Sequence, residues 1–289
     1  MPILAWILLA TFLGGLLSAA LASLFLLLPE ARRARLLPHL ISFATGAMLA
    51  AALLGLLPEA VASVGPGRIQ GIGAALLAGI ALFFILEKLV LWRHCHTPDC
   101  EEHGAPVALH PHGEGHVHVH GHAQARAPAV AHGAAADHAR DQAAGWIVLF
   151  GDGMHNAFDG VLIAAAFLTD VRLGVITTLA ITAHEVPQEL GDLAVLLHGG
   201  MRPSRALVFN VASSLTSIIG GLAGYFALQG TLDLLPYAIS VAAASLIYVA
   251  VADLIPGLHR RTDPRGSIMQ VVLIAAGVGV IALTERYLG

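Results

Sequence analysis

Two stretches of this chain place ionisable side chains at helical spacing inside otherwise apolar sequence. The first reads "GDGMHNAFDG" and carries four polar residues at i, i+3, i+4 and i+7: Asp152, His155, Asn156 and Asp159. The second reads "HEVPQELGD" and carries five: His184, Glu185, Gln188, Glu189 and Asp192. On an α-helix each set falls on one side, the first within a stripe about 100° wide. Two helices could therefore bring these faces together.

The chemistry that these side chains favour is the binding of a divalent cation. A carboxylate buried in a membrane costs on the order of 3 kcal/mol or more, and no lysine or arginine lies in the central part of either stretch. A hydrogen-bonded helix pair or a proton relay would make less use of His and carboxylate at i, i+4, whereas one metal ion can be shared by such a pair. Imidazole, carboxylate and amide ligands suit Zn²⁺, Fe²⁺ or Mn²⁺ better than Mg²⁺ or Cu⁺. The ligands exceed one tetrahedral shell, so we expect two adjacent metal sites that share a carboxylate.

Weaker candidates lie in two other apolar stretches. One stretch offers a single stripe of small polar residues: Asn210, Ser213, Ser214 and Ser217. This stripe could be a third wall of a hydrated path or a packing face of small residues, and the sequence leaves both open. Another stretch offers Thr45 and Met48, where the methionine is either a ligand or part of the apolar core.

The elements that must position these residues are membrane-spanning helices. The 289 residues are 57% hydrophobic and 12% charged, with a mean hydropathy of +0.77 and a net charge of −4. This composition predicts an all-α integral membrane protein and suggests no nucleic-acid partner. Apolar runs long enough to cross the bilayer predict eight transmembrane helices, near 3–28, 39–62, 69–92, 144–168, 172–198, 203–228, 235–257 and 268–288.

The cationic residues predict the orientation of these helices. With both termini outside, twelve of the fifteen Lys and Arg residues face the cytoplasm and three face outward. The predicted organisation is transmembrane helices 1–3 in residues 1–93, a cytoplasmic loop at 94–142 and helices 4–8 in residues 143–289. The loop holds eleven of the sixteen histidines and both cysteines. We expect it to be disordered without metal, and to be either a metal collector or sensor, or a low-complexity linker.

A short repeat suggests internal symmetry. The second predicted helix ends with "GLLPEA" at 55–60 and the seventh with "DLIPGL" at 253–258. Because the second stretch lies five helices after the first, the two stretches must cross the membrane in opposite directions. Helices 1–3 and 6–8 could therefore form an inverted repeat around a central pair of helices 4 and 5.

"GDGMHNAFDG" followed by "HEVPQELGDLAVLL" resembles the paired signatures of the ZIP (Zrt/Irt-like) metal transporters, closest to the subfamily whose fifth helix reads HExPHExGD. "FATGAMLAAALLGLLPEA" is similar to the second helix of that family. The resemblance implies uptake of divalent metal, usually zinc, into the cytoplasm through a two-metal centre between helices 4 and 5. The positions that match its ligands are His155, Asn156, Asp159, His184, Glu185 and Gln188, with Met48 as a further candidate. Two departures are Gln188 and Gly55, where the family patterns have His.

The sequence therefore predicts a metal transporter without an enzymatic step. Zn²⁺ is the expected cargo, with Fe²⁺, Mn²⁺ and Cd²⁺ as further candidates. One rival is a cation-diffusion-type metal exporter. Another is an intramembrane metallohydrolase, because "HEVPQ" begins like an HExxH zinc motif but ends in Gln188. The expected location is a bacterial inner membrane, or a secretory-pathway membrane in a eukaryote. The partners are divalent ions and lipid, with a homodimer as the candidate assembly.

Overall fold

Eight helical rods make up the described part of the protein. The computed structural model describes residues 2–94, 132–198, 200–259 and 264–288. The uninterrupted rods are α1 (Ile3–Leu26), α3 (Ile69–His94), α4 (His132–Thr169), α5 (Val171–His198) and α8 (Pro264–Leu288). The three interrupted rods are α2 (Glu30–Ala50, Ala51–Leu56, Leu57–Ala62), α6 (Pro203–Ser214, Thr216–Leu228) and α7 (Leu235–Tyr248, Val249–Leu254, Ile255–His259). Short 3₁₀ turns at Pro66–Arg68 and Leu232–Leu234 precede α3 and α7.

The structure agrees with the predicted membrane protein in two respects: the described residues form helices, and several of these helices are long and apolar. Six helices are long and apolar enough to cross a bilayer, namely α1, α2, α3, α6, α7 and α8. The remaining two, α4 and α5, carry the polar residues singled out above, which lower their hydropathy. Helix α4 begins at His132, inside the segment 94–142 that the sequence assigns to the loop. Residues 95–131 of that loop lie outside the described residues.

The rods pack as two groups of neighbours around a shared interior. Helix α4 packs against α5 and α6, and α1 packs against α5 and α6. In the other group α2 packs against α8, and α3 packs against α7. Helices α2 and α7 also contact α5 and α4, respectively. The largest buried apolar cluster lies where these inner helices meet, and it includes Leu56, Ile163, Phe167, Ile176 and Leu246.

Two of the rods contain a π-helical turn at matching positions. The turn Ala51–Leu56 in α2 ends two residues before Pro58, and the turn Val249–Leu254 in α7 ends two residues before Pro256. Proline has no N–H for the backbone ladder of a helix, and its ring crowds the carbonyl of the preceding turn. A wider turn accommodates this local mismatch without breaking the rod.

Glycines bring two helix pairs into backbone contact. A Cβ atom at Gly160 of α4 would overlap the carbonyl oxygen of Ser217 in α6, and one at Gly220 of α6 would overlap that of Ala157 in α4. Similarly, a Cβ atom at Gly46 of α2 would overlap a backbone carbonyl of α8. Close approach through small residues is the usual way for membrane helices to gain packing energy. It holds α4 firmly beside α6, next to the polar residues.

Candidate metal centre

Helices α4 and α5 form an antiparallel hairpin with a single residue, Asp170, between them. The side-chain oxygen Oδ1 of Asp170 accepts hydrogen bonds from the backbone N–H groups of Arg172 at 2.8 Å and Leu173 at 3.3 Å. This is an N-cap, which fixes the start of α5. Asp159 precedes Asp170 by eleven residues and His184 follows it by fourteen. At about 1.5 Å per residue, both lie at a similar depth along the hairpin.

The first cluster consists of two imidazoles and two carboxylates that face one another: His155, Asp159, His184 and Glu185. The two Nε2 atoms of His155 and His184 are 3.2 Å apart. Asp159 Oδ2 lies 3.6 Å from Nε2 of His155 and 3.4 Å from Nε2 of His184. Glu185 Oε1 lies 3.8 Å and 3.6 Å from the same two atoms. The four potential ligand atoms therefore surround a common point.

These spacings are those of a tetrahedral zinc shell. Ligand atoms about 2.0–2.1 Å from a tetrahedral zinc ion lie about 3.3 Å from each other. The five distances given above run from 3.2 to 3.8 Å, within a few tenths of an ångström of that edge. The arrangement can thus accept an ion of this size with small side-chain movements.

The hydrogen bonding of the cluster also favours a cation. His184 Nδ1 lies 3.3 Å from the carbonyl oxygen of Ala180, so Nδ1 carries the proton and Nε2 keeps its lone pair. Asp159 Oδ2 and both carboxylate oxygens of Glu185 are buried and lack a hydrogen-bond partner among the described residues. Buried anionic oxygens without a donor are strongly unfavourable. A bound cation removes that penalty.

The second cluster is made only of carboxylates: Asp152, Glu185 and Glu189. Its oxygen atoms lie within 4.8 Å of one another, and Glu185 belongs to both clusters. Asp152 Oδ1 accepts hydrogen bonds from the amide groups of Asn156 at 2.9 Å and Gln188 at 3.4 Å. Its other oxygen, Oδ2, is buried and without a partner within the described ranges.

Helix α6 reaches the second cluster through hydrogen bonds to Glu189 of α5. One oxygen of Glu189 accepts a hydrogen bond from the amide nitrogen of Asn210, and the other contacts the hydroxyl of Ser214. The stripe that the sequence left open therefore touches the polar centre at these two residues. Ser217, by contrast, bonds to the backbone oxygens of Thr11 and Ser214.

The other predicted residues occupy less direct positions. Asp192 lies beside Asp152, with its carboxyl group close to that of Asp152. Asn156 and Gln188 point their amide nitrogens at Asp152 rather than joining the first cluster. Met48 is fully buried within the apolar cluster.

The set predicted from the sequence omits a further polar contact, between α3 and α7. The phenol of Tyr248 donates a hydrogen bond to Glu87, and Asp253 lies close enough to interact electrostatically with Glu87 and His184. An acidic residue within an apolar span is the signal that identifies such positions. Glu87 and Asp253 both carry that signal.

Comparison with known proteins gives a consistent picture. The profile of the ZIP zinc transporter family matches residues 3–285. Zinc transporter ZIP5 of Homo sapiens is 34% identical over 87% of this chain and 54% of that protein, and zinc transporter ZIP13 of Homo sapiens is 32% identical over 87% of this chain and 71% of that protein. Zinc transporter foi of Drosophila melanogaster is 35% identical over 51% of this chain and 21% of that protein.

The chain thus spans about half the length of ZIP5 and about a fifth of foi. The profile match nevertheless runs across all eight helical rods. On this evidence the chain belongs to the ZIP zinc transporter family, whose members are membrane transporters and not enzymes.

Proposed function

We propose that this protein carries divalent transition metal into the cytoplasm through a two-metal site between α4 and α5, with Zn²⁺ as its main cargo. The observation that carries the proposal is the near-tetrahedral set of His155, Asp159, His184 and Glu185, whose buried oxygens lack donors. The names of the relatives support zinc as the transported ion.

The ligand types leave room for other ions of similar size. Two imidazole nitrogens and two carboxylate oxygens are donors of intermediate hardness, which suit Zn²⁺, Fe²⁺ and Mn²⁺. Cd²⁺ is a further candidate. Met48 would add a soft sulfur ligand only if its side chain turned from the apolar cluster towards the first cluster.

A second ion would occupy the carboxylate cluster. Glu185 belongs to both clusters, so one of its oxygens can face each ion. Asp152 and Glu189 supply the remaining charge, and Asp192 extends the row of carboxylates along α5. The amides of Asn156 and Gln188 orient Asp152 for this role. A row of sites with similar affinities lets an ion move from one site to the next rather than remain bound at the first.

The positions of the charged residues support the proposed direction of transport. With the cationic flanks in the cytoplasm, Asp152, Glu189 and Asp192 lie on the cytoplasmic side of the first cluster. On the outer side of the cluster, α4 and α5 present fully buried apolar residues such as Phe167, Leu173 and Ile176. In this conformation apolar side chains pack on the outer side of the first cluster, and carboxylates continue from it on the cytoplasmic side, which fits release of an ion inward.

We further propose that helices 1–3 and 6–8 form an inverted repeat around α4 and α5. In such a repeat each helix has an equivalent: α6 for α1, α7 for α2, α8 for α3 and α5 for α4. The helix pairs in contact agree with this, because the equivalents of two packed helices are also packed against each other. For example, the pair α2 and α8 becomes the pair α7 and α3. The π turns of α2 and α7, each followed by proline, fit the same exchange.

The test is zinc uptake by the purified chain in proteoliposomes, comparing the native protein with Asp159→Ala and Asp233→Ala. Asp159 lies within reach of both imidazoles, whereas Asp233 is an exposed carboxylate in the turn before α7. We expect Asp159→Ala to abolish or severely reduce uptake and bound zinc, and Asp233→Ala to leave both unchanged. Native-like uptake and stoichiometry in Asp159→Ala would remove this cluster from the transport path.

A further inference from the structure

The two acidic residues that flank Gln188 differ in their hydrogen bonding. Both oxygens of Glu185 are buried without a donor among the residues that the structure describes. Both oxygens of Glu189 contact groups of α6, namely the amide of Asn210 and the hydroxyl of Ser214. Glu189 therefore has a hydrogen-bond donor for each of its oxygens, whereas Glu185 has none among the described residues.

The carboxamide oxygen of Asn210 accepts no hydrogen bond from the described residues. Its nitrogen donates to Glu189, and the residue is fully buried. Its oxygen, Oδ1, has no hydrogen-bond partner in the described ranges 2–94, 132–198, 200–259 and 264–288. A buried amide oxygen without a donor is unfavourable unless something positive approaches it. Because the two ends of a carboxamide are attached to one carbon, this oxygen stays close to Glu189.

Helix α6 is interrupted beside this contact. Its first segment ends at Ser214 and the second begins at Thr216. The hydroxyl of Thr216 donates to the carbonyl oxygen of Gly153 in α4 at 2.6 Å, which fixes the interruption next to Asp152. The end of the first segment, with Asn210 and Ser214, is thus positioned against Glu189 of the carboxylate cluster.

We propose that Asn210 Oδ1 is a ligand of the second metal ion, so that α4, α5 and α6 together form an all-oxygen site with Asp152, Glu185 and Glu189. The proposal rests on the two-metal function given above and adds a third helix to it. Carboxylate and amide oxygens are hard donors, which favour Mn²⁺ relative to Zn²⁺ more than the first cluster does. The two ions then sit in chemically different sites.

A structural alternative makes the opposite prediction for one substitution. If Asn210 only donates to Glu189, then Asn210→Asp replaces the donor by a second anion and weakens the site. If Asn210 is a ligand, the same change keeps an oxygen at this position, adds negative charge and strengthens binding. Asn210→Leu removes both groups at similar size and should weaken binding about tenfold or more.

The experiment measures equilibrium binding of Mn²⁺ alone, and separately of Zn²⁺ alone, to the detergent-solubilised full chain. The histidines of residues 94–142 are replaced by serine so that only the centre binds metal. Thr231→Val is the matched control, because Thr231 is exposed in the turn after α6 and its hydroxyl bonds only to backbone oxygens. Visible absorption of bound Co²⁺, which is far stronger in a four-coordinate site, reports separately on the first cluster.

We expect two ions in the parent protein and in Thr231→Val, weaker Mn²⁺ binding in Asn210→Leu and tighter Mn²⁺ binding in Asn210→Asp. The Co²⁺ band should persist in all four, which shows that the first cluster is intact. Equal or weaker Mn²⁺ binding in Asn210→Asp with the Co²⁺ band intact overturns the role of Asn210 alone. A parent protein that binds only one ion, or none, overturns the two-metal function and this inference with it.

Discussion

Asp152 shows how a single residue can connect the chemistry of two helices. One of its oxygens accepts from Asn156 on its own helix and from Gln188 on α5, and the other has no partner in the described parts of the chain. The carboxylate is therefore oriented by amides while one oxygen stays available. Gln188 stands at the position where the HExPHExGD signature, which this stretch resembles, has histidine.

We expect Gln188→His to raise zinc affinity, lower zinc turnover and reduce competition by Mn²⁺. An imidazole is a softer and stronger zinc ligand than an amide oxygen, and position 188 faces the carboxylate cluster. The measurement is uptake of zinc in competition with Mn²⁺, compared side by side with the native protein. Gln229→His, which adds an imidazole at an exposed position outside the centre, is the control.

An unchanged preference between zinc and Mn²⁺ would mean that position 188 does not contact the ion. Gln188 would then be a hydrogen-bonding support for Asp152 only. Zinc uptake that speeds up rather than slows would also contradict the expectation, because tighter binding should delay release.

The candidate ligands could be predicted because residue type and helical period suffice to place them. His155 and Asp159 are separated by four residues, so any α-helix presents them together. The sequence could not decide whether Asn210 and Ser214 face the centre or another helix, because that depends on the rotation of α6 about its axis. The division between a nitrogen-containing cluster and an all-oxygen cluster depends on how α4 and α5 are rotated and shifted against each other, which the sequence also does not give.

At the scale of the helices, glycine contacts decide which elements pack backbone to backbone. Gly160 and Gly220 place α4 and α6 in backbone contact, and Gly46 does the same for α2 and α8. The pattern of apolar runs predicted the helices themselves, because bilayer length and hydropathy are properties of local sequence. The π turns could not be predicted, since one extra residue per turn leaves no distinct pattern of residue types.

We expect Gly160→Ala to destabilise the protein by about 1–3 kcal/mol, because its methyl group would overlap the backbone of α6. The measurement is thermal unfolding in detergent, with Gly73→Ala as the control. Gly73 lies in α3 with open space around it, so alanine there should be neutral or mildly stabilising. Equal stability of the two variants would show that α4 and α6 do not touch at Gly160.

For the molecule as a whole, orientation in the membrane is the property on which the proposed direction depends. A cysteine at Gly65 should react with an impermeant reagent from outside, and one at Pro203 from inside. Both positions are exposed in connecting or terminal turns, and the native Cys95 and Cys100 would be replaced by serine beforehand. Labelling of both cysteines from the same side would contradict the eight-span topology.

We expect the histidine-rich segment at 94–142 to affect regulation of transport rather than to form part of the transport path. We expect replacement of its histidines by serine to leave zinc uptake present and to change mainly the apparent affinity. The reason is that both clusters are complete without this segment. Replacing an equal number of its alanines by serine is the control, and complete loss of uptake in a correctly inserted histidine variant would place the segment in the path.

The weak hydropathy of α4 and α5 has a consequence for biosynthesis. Six helices are apolar enough to enter the bilayer alone, but the two that hold the ligands are not among them. A nascent α4 would therefore wait at the translocon until α5 emerges, and both would enter as the hairpin closed by Asp170. One of their carboxylates, Glu189, gains its hydrogen-bond donors only when α6, the next segment to be synthesised, packs beside it. We therefore expect the centre to assemble in the order of translation, and a cell short of metal to insert these carboxylates without a counter-ion.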